Sequence, residues 1–314
     1  MPPKIAIICG PTATGKTRLG VALAKQLNGE VVSADSMQIY RHMAIGTARP
    51  DQSELEGIHH HMMGIADPWE NYSVARYVEE ASACVDDILG RGKLPILVGG
   101  TGLYIEALCA GRSFSAFRPE SGHRERLQKT AAEGGMHRLW EELQSIDPAA
   151  AEKLHPNDEK RIIRALEVWY ETGETITEHN RKTQALPPRY KGIAIALAYR
   201  NRQDLYRRID QRVDVMMEKG LAEEVRALLE MGVSEEATAM QAIGYKEMVQ
   251  AVTEGGDLAA AAEEVKLRSR QYAKRQLTWF RRREETHWIY LESPPDFSAV
   301  IQDAAEHLRE KGLP

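Results

Sequence analysis

Ile5-Ala6-Ile7-Ile8-Cys9-Gly10-Pro11-Thr12-Ala13-Thr14-Gly15-Lys16-Thr17 joins a short apolar, β-branched run to a loop bounded by two glycines. The run from Ile5 to Cys9 has no polar position, so it predicts a strand buried on both faces, as in a parallel sheet. The loop matches G-x-x-x-x-G-K-[ST], and the pattern from Thr17 to Leu27 behind it is helical. Strand, loop and helix in that order are the context in which this motif cradles phosphate. Gly10 and Gly15 let backbone N–H groups curl around an anion with no Cβ in the way. The helix presents its positive end. Lys16 adds a point charge, and the Thr17 hydroxyl is the usual ligand of a phosphate-bound Mg²⁺.

Similar apolar runs recur at Val31-Val32, Pro95-Ile96-Leu97-Val98, Ile193 to Leu197 and Trp288-Ile289-Tyr290-Leu291. Helical patterns such as Ser73 to Leu89 separate most of them. The alternation predicts an α/β fold with a P-loop-type parallel sheet flanked by helices. From Ser113 to Arg189 the pattern is helical, with Asp147-Pro148 and His155-Pro156-Asn157-Asp158 as helix boundaries and Leu186-Pro187-Pro188 as a return linker. The expected organisation is a core domain of residues 1–112 and 190–314, helix-rich toward its C-terminal part, with an inserted helical domain at 113–189.

A chain of 314 residues corresponds to roughly two domains at ~150 residues each. With 43% hydrophobic and 28% charged residues it has ordinary globular composition, which excludes a disordered, collagenous or membrane-spanning chain. The apolar run from Ile5 is too short for a signal-peptide core. Cys9, Cys84 and Cys109 are odd in number and form no C-x-x-C, which predicts reduced thiols. A cytoplasmic protein with no membrane partner is the expectation.

The net charge of −5 argues against coating nucleic acid by bulk charge. The charge is segregated, however. Lys266, Arg268, Arg270, Lys274, Arg275, Arg281, Arg282 and Arg283 occur with no acid among them, and Tyr272, Trp279 and Phe280 are interleaved. Such a segment suits RNA with unpaired bases. A solvated helix face with core aromatics has the same composition. Lys160, Arg161 and Arg164 form a second cluster; Arg200, Arg202, Arg207, Arg208 and Arg212, mixed with acids, form a third. His59-His60-His61 lacks Cys or carboxylate partners at ligand spacing and predicts polar loop or helix-start residues, not a metal site.

A phosphate loop names a polyphosphate, not a reaction. A motor ATPase or GTPase adds an Asp at the end of another core strand, but the run Pro95 to Val98 ends in Gly99-Gly100-Thr101-Gly102. The nearby carboxylate is Asp35, just past Val31-Val32-Ser33-Ala34. Carboxyl ends of neighbouring parallel strands share one crevice, so Asp35, Lys16 and Thr101 are expected to converge. Asp35 would orient or deprotonate an acceptor; a helix N-cap is the competing reading.

The ordered motifs resemble the bacterial tRNA dimethylallyltransferases, also called tRNA isopentenyltransferases. They are the phosphate loop, Ser33-Ala34-Asp35-Ser36-Met37-Gln38-Ile39-Tyr40, Ile45-Gly46-Thr47-Ala48-Arg49-Pro50 and Val98-Gly99-Gly100-Thr101-Gly102-Leu103-Tyr104. Asp158-Glu159-Lys160-Arg161-Ile162-Ile163-Arg164, Ala242-Ile243-Gly244-Tyr245-Lys246-Glu247 and Ala273-Lys274-Arg275-Gln276-Leu277-Thr278-Trp279-Phe280-Arg281 follow in order. The resemblance implies transfer of the prenyl group of dimethylallyl diphosphate to the exocyclic N6 amine of the adenosine 3′ to the anticodon of certain tRNAs, with diphosphate leaving.

On that resemblance, residues Gly10, Pro11, Thr12, Ala13, Thr14, Gly15, Lys16 and Thr17 bind the donor, and Thr17 holds Mg²⁺. Lys16 and Arg212 reach the diphosphate, Asp35 takes the amine proton and Thr101 helps place the base. The implied contacts with the tRNA anticodon stem-loop are Asp35, Ser36, Met37, Gln38, Thr101, His123, Glu159, Lys160, Arg161, Ile162 and Ile163. They continue with Gln241, Ala242, Ile243, Gly244, Tyr245, Lys246, Lys274, Arg275, Gln276, Leu277, Thr278, Trp279, Phe280 and Arg281. A monomer is expected. Between His59-His60-His61 and Asp67-Pro68 the residues diverge from the family pattern. A P-loop kinase using ATP, with Asp35 on an acceptor hydroxyl, is the alternative enzyme. A non-enzymatic RNA-binding module would leave the phosphate loop without a purpose.

Overall fold

Ile7 and Ile8 point to opposite faces of their strand, and both are fully buried, so the sheet they belong to is covered on both sides. In the computed structural model, which describes residues 1–111 and 122–314, that sheet has six strands. They are β1 (Lys4–Cys9), β2 (Gly29–Ser33), β3 (His60–His61), β4 (Leu94–Val98), β5 (Lys191–Tyr199) and β6 (His287–Leu291). Their order is β3-β2-β4-β1-β5-β6, and every pairing is parallel. The α/β architecture with helices against a parallel sheet is therefore present. β6 is an edge strand: Ile289 and Leu291 are buried while Tyr290 is 46% exposed.

β3 departs from expectation: His59 stays in a loop, but His60 and His61 form a strand. Val31 and Val32 of β2 pair with His60 and His61. His61 Nε2 lies 2.8 Å from Glu30 Oε2, and Arg91 and Lys93 also bond this buried carboxylate. The Arg91 guanidinium, with Lys93 and His61 adding to it, holds the Glu30 carboxyl far below the usual range. A buried carboxylate thus recruits the histidine, and this sequence distance hides the pairing from a local reading. Among the described residues no cluster of His, Cys, Asp or Glu has a metal-binding arrangement.

The order of strands positions the site. β1 lies between β4 and β5, and its own connection leads away to β2. A crevice opens at the carboxyl ends of strands whose connections diverge in this way. Residues 10–17 follow β1, residues 34–38 follow β2, and residues 99–102 follow β4. Gly10 has φ +125°, and a Cβ there would sit 2.4 Å from the Leu197 carbonyl oxygen of β5, so no side chain fits.

The chain divides into two compact units, Met1–Cys109 with Arg189–Pro314, and Ala110–Pro188. The domain boundary expected between residues 112 and 113 lies outside the described residues. The second unit holds helices His123–Thr130, Met136–Ile146, Pro148–Ala151, Glu159–Thr172 and Ile176–Gln184. Leu127, Leu139, Leu143, Ile162 and Leu166 form its core. Asp147 ends one helix and caps the next: its carboxylate accepts from Ala150 N at 3.0 Å and from Thr177 N and Oγ1. Among the described residues no helix is long and apolar enough to cross a membrane.

Candidate active site

The helix Lys16–Gln26 begins at Gly15, whose left-handed backbone (φ 83°) supplies no side-chain cap. Its first N–H groups are thus left for a ligand, and the helix dipole favours an anion there. Thr14 Oγ1 donates to the Pro11 carbonyl at 2.9 Å, and Lys16 Nζ donates to the same oxygen at 2.6 Å. Lys16 and Arg212 line one cavity of about 950 Å³ with Thr12, Thr17, Asp35, Arg49, Tyr272 and Gln276. Neither Lys16 nor Arg212 has an ion-pair partner among the described residues. Burial, then the positive Arg212, push the Lys16 pKa from 10.5 down to about 8, with Asp35 pulling it partly back. Burial also lowers Arg212, again opposed by Asp35. Two cations held together at this electrostatic cost make an anion site.

Asp35 Oδ1 accepts from Met37 N at 2.9 Å and Gln38 N at 3.4 Å. This is the geometry of a cap, although the residues that follow form turns and no helix. The competing reading of Asp35 therefore holds for one oxygen, while Oδ2 has no hydrogen-bond partner among the described residues. Thr101 Oγ1 accepts from Ser36 N at 3.0 Å, and Thr101 N donates to the Ala34 carbonyl at 3.0 Å. Thr101 thus fixes the turn carrying Asp35. Gln38 is buried, and its amide donates to the Thr47 and Ala48 carbonyls at 3.2 and 3.3 Å.

The basic segment splits into two halves. It occupies the helix Leu258–Phe280 and the three residues beyond it. Lys266 pairs with Asp214 and Glu263, Arg268 with Glu264, and Arg270 with Asp210. Arg283 donates to the Gly192 carbonyl at 2.8 Å. Lys274, Arg275, Arg281 and Arg282 have no ion pair among the described residues. Arg275 lies over Tyr272, 5.6 Å from its ring centroid. Acids thus neutralise the first half, where Lys266 and Arg270 are only partly exposed, while Lys274, Arg275, Arg281 and Arg282 keep their positive charge exposed.

Other family-implied positions are divided between surface and interior. In the 241–246 segment, Gln241 and Lys246 are exposed, Ile243 lines the cavity, and Ala242 and Gly244 are buried with Tyr245. The Tyr245 hydroxyl donates to Glu224 Oε1 at 2.6 Å. That carboxylate also takes the N–H groups of Ala44, Ile45 and Gly46, which pins a loop of the cavity wall. Phe280 is buried, while Leu277 and Trp279 are partly so and Thr278 is exposed. In the second unit Glu159, Lys160 and Arg161 are exposed, but Ile162 and Ile163 sit in that unit's core. His123 stacks on Tyr170 with ring centroids 5.2 Å apart. These buried side chains place backbone and neighbours, not themselves, at a surface.

Gln276 and Tyr272 were expected in the RNA-facing segment and His60 in a loop or helix start, and the fold sets all three against the cavity. Tyr272 lines the cavity within reach of Thr101 and Gln276, its hydroxyl pushed up to about 12 mainly by burial. Gln276 points inward. His60 lines the cavity with Nδ1 2.9 Å from the Ile58 carbonyl and Nε2 buried without a partner; burial lowers its pKa. The i, i+4 spacing of Tyr272 and Gln276 puts them on one helix face, which was the available signal.

Comparison with known proteins agrees along the whole chain. A family model described as IPP transferase matches residues 38–283, and one described as isopentenyl transferase matches residues 3–64. The tRNA dimethylallyltransferase of Caldanaerobacter subterraneus is 46% identical over 309 residues, 98% of each chain. That of Oceanobacillus iheyensis is 45% identical over 97% of each. Among solved structures, the tRNA isopentenylpyrophosphate transferase of Bacillus halodurans aligns with a TM-score of 0.73 at 40% identity, covering 98% of this chain and 96% of that one. A eukaryotic dimethylallyltransferase acting on tRNA aligns with a TM-score of 0.81 at 32% identity, over 97% of this chain and 77% of that one.

Proposed function

The chain belongs to the tRNA dimethylallyltransferase family, and on that premise we propose how its cavity moves the dimethylallyl group of dimethylallyl diphosphate onto the N6 amine of the adenosine 3′ to the anticodon. The observation that carries the proposal is a pairing in one cavity: two cations with no acid partner, Lys16 and Arg212, and a carboxylate, Asp35, with one oxygen free. The donor's diphosphate sits on residues 10–17, with Lys16 and Arg212 on its oxygens. The amine nitrogen attacks the carbon that carries the diphosphate. The carbon–oxygen bond breaks, diphosphate leaves, and the amine proton passes to Asp35 Oδ2. Charge grows on the leaving diphosphate, where fixed cations stabilise the transition state most. Thr101 holds the Asp35 turn in place.

The donor set fits Mg²⁺. The Thr17 hydroxyl is a hard oxygen lining the cavity, and Mg²⁺ takes few protein ligands plus phosphate oxygens and water. Thr17 would hold the ion, which when bound adds Lewis-acid neutralisation of the diphosphate. The tRNA anticodon stem-loop is met by Lys274, Arg275 and Arg281 with the exposed residues named above, and by Glu159, Lys160 and Arg161 of the second unit. The donor loop, Lys16, Arg212 and Asp35 all come from one chain, so a monomer suffices, and the cytoplasm supplies tRNA. The ATP-dependent kinase alternative has no support among the relatives, which are prenyltransferases.

The test is bulk tRNA incubated with the protein, Mg²⁺ and dimethylallyl diphosphate, then weighed by mass spectrometry. A gain of one dimethylallyl group per modified adenosine is expected. ATP consumption with a small acceptor and unchanged tRNA mass would contradict the proposal.

A further inference from the structure

Gln276 lies between two basic residues and the site. Lys274 and Arg275, its neighbours on the helix Leu258–Phe280, are exposed, while Gln276 is 5% exposed. Its Oε1 accepts from the backbone N–H of Thr12, inside the phosphate loop, at 2.9 Å. Its Nε2 donates to the carbonyl of Gly100, next to Thr101, at 3.0 Å. The fit is tight. A Cβ on Gly100 would sit 2.1 Å from Gln276 Nε2, and one on Gly102 would sit 2.2 Å from the Trp279 ring. The helix therefore presses on the glycine turn on both sides of Thr101. One amide bridges three elements: the helix with exposed cations, the loop that holds the donor, and the turn that fixes Asp35.

We propose that Gln276 is a positioning residue that couples tRNA binding on this helix to the geometry of the donor loop. N–H···O hydrogen bonds span about 2.7–3.2 Å and are lost by about 3.6 Å. A helix displacement of about an ångström on engaging tRNA phosphates is therefore felt at Thr12 and Gly100 together. Coupling of this kind is reciprocal: if tRNA changes donor affinity by some factor, the donor changes tRNA affinity by the same factor. The inference rests on the tRNA-prenylating reading of the site, and its test separates the two.

The experiment measures binding of inorganic diphosphate in Mg²⁺ buffer, with and without a synthetic anticodon stem-loop RNA, alongside tRNA prenylation by the same wild-type protein. For wild type, the RNA should change diphosphate affinity by a factor in the range of about 5–150. Gln276→Met keeps the side-chain length and removes both hydrogen bonds. Whatever the substitution does to the affinity for either ligand alone, the coupling factor should fall toward one. A Met variant whose single-ligand affinities drop while the factor stays intact makes Gln276 merely structural and overturns the proposal. Should Gln276→Met fail to fold, Gln276→Glu, which keeps an acceptor for Thr12 N–H but loses the donor to Gly100, gives the same comparison. Wild type that prenylates tRNA with a factor of one overturns the coupling alone. Wild type that binds both ligands but never prenylates overturns the functional reading.

Discussion

Lys16 carries the clearest pH signature at the scale of single residues. Its free-site pKa of about 8 stands below the ordinary 10.5 because burial and Arg212 disfavour its charge. A bound diphosphate favours that charge and raises the pKa again. Below pH 8 the ammonium is charged in both states, so affinity for dimethylallyl diphosphate holds steady. Above pH 8 the free site loses the charge and binding must take up a proton, so affinity falls. Titration calorimetry from about pH 7 to 10 should show this fall together with proton uptake, and Lys16→Met should bind more weakly with neither. Asp35→Ala should lower turnover by about 10²–10⁴-fold, with donor binding unchanged or slightly tighter, as measured by single-turnover kinetics and equilibrium binding. Near-normal turnover would leave Asp35 as a turn cap only. Lys16 and Asp35 were legible in the sequence because the motif places one and the end of a buried apolar run places the other. Gln276 was legible as a residue of the tRNA segment, but its inward aim, like that of Tyr272 and His60, was not, since only the folded packing decides which face of a helix or edge strand meets the cavity.

At the scale of elements, the helix Leu258–Phe280 shows what composition conceals. Eight basic residues in a row of turns look equivalent, but Asp210, Asp214, Glu263 and Glu264 neutralise those of the first half. Those acids lie outside the basic window, and two of them come from another helix, so no local count reveals the pairing. Neutralising Lys274, Arg275 and Arg281 together should weaken tRNA binding and flatten the plot of log affinity against log salt by about 2–3. Neutralising Lys266, Arg268 and Arg270 should leave that slope nearly unchanged, with the exposed Arg268–Glu264 pair costing ~0–1 kcal/mol of stability. Filter binding of tRNA at several salt concentrations distinguishes the two triple variants. Equal slopes for wild type and the first variant would reduce the whole segment to a solvated face. The same locality limit explains β3: His60 and His61 become strand because Glu30 recruits His61, a contact that no periodicity encodes.

For the whole molecule, the buried β-branched runs made the parallel sheet legible, whereas the order β3-β2-β4-β1-β5-β6 depends on crossovers that no single run records. That order sets the donor loop, the Asp35 turn and the glycine turn around one crevice, and it makes a joint reaction of two substrates possible. Prenyl transfer then has a stoichiometry that phosphoryl transfer and free hydrolysis do not share. The measurement is diphosphate released and dimethylallyl groups incorporated, counted in one reaction with and without tRNA. The expected result is one diphosphate per prenylated adenosine and almost none without tRNA. Diphosphate release at the same rate without tRNA, or release with no prenyl group on the RNA, would contradict it.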